Sequence, residues 1–275
     1  MGVRGQRARN QELSAFAARL SGDRNQQSCR QPIPIGMRGS SREVLATVRT
    51  CKRKWHCLMC ACAAAHNEAD DLSRKIHRWS SLGGDIAFLT LTQVHNLDDP
   101  LDQLWLRLQS GWNKVTSGKQ WNKIKASFGI RGYVRTTEIV HSLNRGWNVH
   151  YHVVLFADGG AWRGTRLDLM RVAMAERFQD GVREAGGTAM LTGQKIKPYI
   201  PGTHERLATY CFKGLMIWRS RVRPTRSPMA VLEDLEATGE GGDLWNEFAK
   251  AAVGRHQKSE SRGLERVVPF EATPS

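Results

Sequence analysis

The residues with the clearest chemical potential are His150 and His152, two imidazoles one residue apart in the stretch Gly146 to Phe156. The stretch is rich in strand formers. Side chains of a strand alternate faces, so both imidazoles project from the same face. Val153 to Phe156 form an apolar run behind them that reads as a strand buried on both sides. The preceding stretch, Gly132 to Val140, reads as a second strand, and Asn144, Arg145 and Gly146 supply the turn of a hairpin between the two. That hairpin sets Glu138 across from the histidines. A hard carboxylate beside two imidazoles suits Mg²⁺ or Mn²⁺ with coordination positions left open. A closed structural zinc site calls for a fourth protein ligand, and none is evident beside this hairpin. The alternative is a pair of half-exposed strand histidines that bind nothing.

A second group of metal-binding residue types precedes the first by about ninety positions. Cys57 and Cys60 have the two-residue gap that lets both sulfurs reach one ion, and Cys51 and Cys62 flank them. Zinc prefers four such ligands, so Cys51, Cys57, Cys60 and Cys62 form a candidate structural zinc set, with Cys29 or His66 as alternatives to Cys62. Against it, the chain has no second Cys-x-x-Cys, and unmodified cysteines are common in buried segments. A third candidate is the segment Ala208 to Lys213. Read as a helix, it buries Leu207, Cys211 and Leu215 as a stripe, and it sets Tyr210 beside that stripe with Lys213 on the same side. Without the histidines, Tyr210 would read as a half-buried core phenol.

Two of these features, with the stretch Phe88 to Thr92 ahead of them, resemble in this order the His-hydrophobe-His (HUH) endonucleases and, within them, the rolling-circle plasmid replication initiators. Phe88 to Thr92 is similar to the opening strand motif. His150-Tyr151-His152, with Glu138 as acidic third ligand, is similar to the metal motif. Tyr210 and Lys213 match the Tyr-x-x-Lys spacing of the tyrosine helix. The likeness spans about residues 85 to 215. The family also often carries a cysteine-bearing segment ahead of its first motif, and the segment after Gly254 resembles its C-terminal part.

The resemblance implies a Mg²⁺- or Mn²⁺-dependent nickase and strand transferase. Tyr210 would be its nucleophile and Lys213 would assist at the phosphate. The product would be a 5'-phosphotyrosine at a hairpin-presented, single-stranded origin, with host helicase and polymerase taking over. In relatives with one tyrosine, a glutamate on the tyrosine helix activates the terminating water. Here the matching position holds Arg206, and Glu205 is one residue off. A transposase or relaxase of the same superfamily is the alternative, although relaxases usually carry three metal histidines and this chain shows two. Outside enzymes, the alternative is a zinc-stabilised basic protein that binds nucleic acid and whose histidines are incidental.

Composition agrees with a nucleic-acid partner. The 275 residues carry 41 Lys and Arg against 26 Asp and Glu, a formal charge of +15 with a pI near 10.0, and such an excess attracts polyanions. No apolar run approaches the roughly 20 residues needed to cross a bilayer, and the N-terminus lacks the apolar core of a secretory signal. A cytoplasmic protein with six reduced cysteines is therefore expected.

The elements that must position these groups are legible in outline. The expected fold is α+β, a largely antiparallel sheet with helices on one side, the histidines on a central strand and a helical C-terminal extension. Residues 1–50 read as a basic, mobile segment, with only a short helix near Leu13 to Leu20. Residues 51–82 read as the cysteine-rich segment and a helix, 83–217 as the catalytic domain, and 218–275 as a basic linker with C-terminal helices. Asp98 and Asp99 before Pro100 read as the cap of a helix that buries Leu101, Leu104, Trp105, Leu108 and Trp112. Thr203 reads as the cap of the tyrosine helix. Met170, Met174, Phe178 and Val182 read as the core face of another. Trp121 between Lys119, Lys123 and Lys125 suggests stacking and phosphate contacts to a single strand, or an ordinary helix with a lysine-rich outer face. Arg219, Arg221 and Arg223 in the linker are further phosphate candidates.

Overall fold

Alternation in β-forming stretches and four-residue spacing in helical ones dictate most of the architecture. The computed structural model describes residues 3–37, 44–220 and 224–268. In chain order, α1 (Val3–Ser21) and α2 (Arg24–Gln27) precede a two-stranded ribbon of β1 (Pro32–Met37) and β2 (Val44–Val48). A long helix α3 (Leu58–Ser81) leads into β3 (Asp85–Thr92), then α4 (Leu101–Val115) and α5 (Gly118–Phe128). The hairpin β4 (Ile130–Ser142) and β5 (Gly146–Ala157) follows, then α6 (Arg166–Glu184), β6 (Lys195–Pro198) and α7 (His204–Phe212). A 3₁₀ turn, Lys213–Leu215, continues α7. The chain ends with β7 (Thr225–Arg226), α8 (Pro228–Thr238), α9 (Gly242–Ala251), β8 (Lys258–Glu260) and α10 (Leu264–Val267).

The main sheet runs β6-β3-β5-β4-β7, every pairing antiparallel, and β8 pairs with the other end of β4. The α+β, antiparallel expectation holds, but helices cover both faces of the sheet. Trp112 of α4 meets Tyr133 and Tyr151 edge-on on one face. On the opposite face Trp79 of α3 meets Phe156, and Tyr210 of α7 meets Phe88. The reason lies in β5, where Tyr151, Val153 and Leu155 on one face and His152, Val154 and Phe156 on the other are all buried. A sheet apolar on both faces needs two covering layers.

Helices α4 and α6 cross at a pair of glycines. A Cβ on Gly181 would lie 2.6 Å from the Ser110 carbonyl oxygen, and one on Gly111 would lie 2.6 Å from the Phe178 ring. Their missing side chains let the two backbones touch, with Met170, Met174, Phe178 and Val182 all fully buried alongside.

Three local expectations are corrected. Residues 3–21 are one continuous helix, not a mobile segment, because Leu13 and Ala17, four residues apart, are buried in the main core with Ser14 and Ala18 beside them. Asp99 does not cap α4. Its carboxylate accepts from the Asn96 amide and pairs with Arg107, and the Leu101 amide at the helix start donates instead to Glu247 of α9. The Thr203 hydroxyl turns back to the Ile200 carbonyl and leaves α7 without a side-chain cap.

The C-terminal segment does return to the sheet through β8. There Lys75 and Lys258 pair with Asp71 and Glu260, and Lys258 also reaches Glu68. No helix of the described residues is long and apolar enough to cross a membrane.

Candidate metal centre and tyrosine cleft

The hairpin register decides the candidate metal centre. Glu138 lies directly opposite His150, and Thr136 opposite His152, so the carboxylate and both imidazoles share the α7 face of the sheet. Gly146, at φ 69°, closes the turn that fixes this register. One carboxylate oxygen of Glu138, Oε2, lies 2.9 Å from His150 Nε2 and 2.6 Å from His152 Nε2. Around a six-coordinate Mg²⁺ or Mn²⁺ with bonds of about 2.1 Å, neighbouring donor atoms stand about 3 Å apart. The three side chains thus already converge at nearly the spacing such an ion needs. The Thr90 hydroxyl lies 3.4 Å from His152 Nδ1, on the ring edge away from the carboxylate.

Protonation also suits a cation. Burial pushes the Glu138 carboxyl up, but the charges and hydrogen bonds of His150 and His152 more than reverse this and hold it well below the usual carboxylate range. Burial drives the His152 imidazole down to about 4 against the pull of the carboxylate, so at neutral pH it is the uncharged form that a metal requires.

Helix α7 brings the fourth and fifth groups. Ala208, Cys211 and Phe212, with Leu215 beyond them, are its buried stripe, while Leu207 is only half-buried and borders the cleft. Tyr210 is 43 % exposed, its ring centroid 5.1 Å from that of His152 and edge-on to Phe88 at 5.7 Å. Lys213 follows three residues later, its Nζ 3.7 Å from the centre of the Tyr210 ring and 3.3 Å from Glu138 Oε1. Gly214 permits this approach, since a Cβ there would meet Glu138 Cγ at 3.2 Å. The phenol and the ammonium therefore face the centre from the same side of the sheet as the imidazoles.

Beside Tyr210 opens a cleft of about 1010 Å³ walled by Phe88, Lys195, Lys197, Tyr199, Arg206 and Lys213, among others. Lys195 and Lys197 are exposed on β6, at the edge of the sheet. The signal that could have found them is their alternation, which turns both to one side of β6, the strand that pairs with β3. Glu205 and Thr90 also line the cleft.

Other candidates fall elsewhere. Lys123 is exposed and Lys125 lies 5.8 Å above Trp121, but that indole is only 8 % exposed and buried under α5, so it offers no face to a base. Arg219 pairs with Glu233 and Asp234 of α8, so its charge is already matched within the protein. Arg221 and Arg223 lie outside the described residues.

The cysteine set requires a correction. Cys29, not Cys62, joins Cys51, Cys57 and Cys60, and the four sulfurs lie within 4.8 Å of one another. Cys62 is two residues beyond Cys60 on α3, about 200° around the helix, and its sulfur instead accepts from the Asn10 side chain of α1. His66 is not among the clustered ligands.

Comparison with known proteins bears on this arrangement. Residues 42–171 match the family described as Replication protein. This segment is therefore similar to replication-protein domains. It contains β3 and the whole β4–β5 hairpin with Glu138, His150 and His152, and it ends within α6, before Tyr210. Among curated proteins, the chain is 24 % identical over 170 residues to a protein named Protein rep from Streptomyces lividans, covering 52 % of this chain and 37 % of that protein. It is 23 % identical over 142 residues to one named Neomycin resistance protein from Streptomyces cyanogenus, covering 43 % of this chain and 32 % of that one. The matched stretches thus span about a third of the length of these relatives. No solved structure matches the chain.

Proposed function

We propose that this chain initiates plasmid rolling-circle replication by nicking and rejoining single-stranded DNA at an origin, with Tyr210 as nucleophile. The observation that carries the reading is the meeting of Tyr210 and Lys213 with Glu138, His150 and His152 on one face of the sheet. The replication-protein match to residues 42–171 supports replication over transposition or conjugative transfer.

Glu138, His150 and His152 would hold Mg²⁺ or Mn²⁺. When bound, such an ion neutralises the phosphate and stabilises charge developing on it. The Tyr210 oxygen attacks phosphorus as the bond from phosphorus to the 3'-oxygen breaks. The phenol proton leaves to solvent or a neighbouring base, and the departing 3'-oxygen takes one up. Lys213, already against both the ring and Glu138, steadies the anionic phosphate and is the nearest proton donor. A tyrosine ester keeps the energy of the broken bond, so the 3'-hydroxyl can prime synthesis while the strand stays joined to the protein for later resealing. Lys195, Lys197 and Arg206 give the cleft the charge to hold a strand beside the nucleophile. Host helicase and polymerase would extend the nicked strand.

The test is incubation with single-stranded DNA carrying the origin, plus Mn²⁺, followed by denaturing electrophoresis and peptide mapping. A nucleotide adduct on Tyr210 that is lost in Tyr210→Phe is expected. An absent adduct, or one undiminished in that variant, would overturn the reading. The non-enzymatic alternative is separated by the double replacement His150→Ala and His152→Ala, since DNA binding should survive under either reading and strand cleavage should vanish only under ours.

A further inference from the structure

The four-thiol cluster stands apart from the carboxylate and imidazole centre, at the opposite end of α3 from the contact with the tyrosine helix. Cys57 is the residue before α3 and Cys60 lies in its first turn. Cys29 follows α2, and Cys51 follows β2. The ribbon β1–β2 leaves the body between Cys29 and Cys51, and its base is closed by the Arg30 amide on the Arg49 carbonyl and the Arg49 amide on the Gln31 carbonyl.

Two independent observations point to one ion. The sulfurs of Cys29 and Cys60, Cys51 and Cys60, and Cys57 and Cys29 are 3.6, 3.6 and 3.7 Å apart. Four thiolates around a tetrahedral zinc at about 2.3 Å have edges of about 3.8 Å. The sulfurs are too far apart for disulfides, whose bond is about 2.05 Å. They are also bunched more closely than cysteines that bind separate irons of a cluster.

The second observation is in the backbone. Among the described residues, only Arg30 at φ 68° and Lys52 at φ 57° adopt the left-handed conformation without being glycine. Each immediately follows a clustered cysteine, Cys29 and Cys51. This costly conformation turns the chain sharply just after each sulfur, and it persists only where the surroundings hold it. No hydrophobic packing requires it at either position, because Arg30 is only partly buried and Lys52 is exposed.

We propose that Cys29, Cys51, Cys57 and Cys60 bind one zinc ion as a closed tetrathiolate that fastens both legs of the β1–β2 ribbon, together with α2, to the start of α3. Binding exchanges the thiol protons for the ion and leaves a doubly negative centre, which the adjoining Arg30, Arg49 and Lys52 offset. Helix α3 then acts as a strut. It starts at the zinc, and near its far end His77 packs on His204 of α7, with ring centroids 4.9 Å apart. The centre serves structure and is closed to substrate, and the proposal stands independently of Tyr210 chemistry.

The test uses the full chain purified without added chelator. Titration with a mercurial that reacts with thiolates should release about one equivalent of zinc per chain in step with the reaction of four cysteines. Metal bound only by Glu138, His150 and His152 would not follow that titration. Cobalt exchanged into the protein should show the intense thiolate-to-metal bands of a four-sulfur tetrahedral site. Cys62→Ser should keep the zinc and Cys29→Ser should lose at least four-fifths of it. After release, limited proteolysis should open the chain between Ser21 and Cys57, which the loaded protein protects. Absence of coupled zinc release, a cobalt spectrum of fewer sulfurs, or loss of zinc from Cys62→Ser but not from Cys29→Ser would overturn the assignment. An unchanged proteolysis pattern would overturn the fastening role. The titration and the cobalt spectrum are read on the unaltered chain, so they decide the assignment even where a variant fails to fold.

Discussion

Lys213 and Glu138 share a contact that ties the tyrosine helix to the candidate metal centre. The ammonium lies 3.3 Å from Oε1, while Oε2 of the same carboxylate faces both imidazoles. The lysine therefore stays clear of the atom that the imidazoles surround. Lys213→Met should keep Mn²⁺ affinity within about threefold while lowering the nicking rate roughly 10²-fold, the size of a lost acid or charge partner. Glu138→Ala should instead lower Mn²⁺ affinity by tenfold or more. Calorimetric titration beside single-turnover cleavage distinguishes the two. Equal losses of affinity in both variants would refute the division of labour.

The cleft should be a strand-binding surface through Lys195 and Lys197, both exposed on β6. If each meets one phosphate, replacing both by Gln should flatten the plot of log affinity against log salt by about 1.4, since a single strand contributes about 0.7 per neutralised phosphate. Fluorescence anisotropy with an oligonucleotide at several salt concentrations reads the slope directly. Arg219→Gln, whose charge is matched by Glu233 and Asp234, should leave it nearly unchanged.

Gly181 should tolerate no side chain. A Cβ would sit 2.6 Å from the Ser110 carbonyl oxygen and 2.8 Å from Gly111 Cα, so α6 would have to move off α4. Gly181→Ala gains helix propensity of about 1 kcal/mol, but overpacking typically costs about 1–3 kcal/mol, and more where backbone must shift. Net destabilisation in urea unfolding is expected. A gain in stability would show that the crossing is looser than its geometry.

His141 should make the fold sensitive to acid. It is buried on β4, its ring against Trp147, and its backbone stands opposite Arg226 of β7 in the sheet. Burial, reinforced by Arg226 and opposed by Glu247, lowers its imidazole to about 4 from an ordinary value of 6.5. The unfolded chain thus takes up a proton near pH 6.5 and the native protein does not until about pH 4. The contribution is complete above about 6.5 and is lost as pH falls towards about 4, at no more than about 1.4 kcal/mol per pH unit. His141→Gln should flatten the fall in unfolding free energy across that window. A slope identical to that of the unaltered protein would count against it.

Much of the candidate centre's geometry was legible because its determinants are local. A period of two aligned His150 with His152, and a turn ending in Gly146 set Glu138 opposite them. A period of 3.6 put Tyr210 and Lys213 on a common side of α7. The cysteines were legible only in part. Cys57 and Cys60 share the start of one helix, but the partner from the N-terminal segment is Cys29, twenty-two positions before Cys51. Helical geometry alone already turned Cys62 away.

The sequence by itself determined β3, the β4–β5 hairpin, the main helices from α3 onward, the basic charge and which of their side chains share a face, because each follows from the short-range period of the backbone. Tertiary structure alone decided that helices cover both faces of the sheet and that Lys195 and Lys197 stand beside Tyr210. It also decided that Arg219 is matched by α8 and that Cys29 completes the thiol set. Those outcomes depend on how distant segments close upon one another. Loop closure costs little more for a far partner than for a near one, so spacing along the chain says little about which far residue arrives.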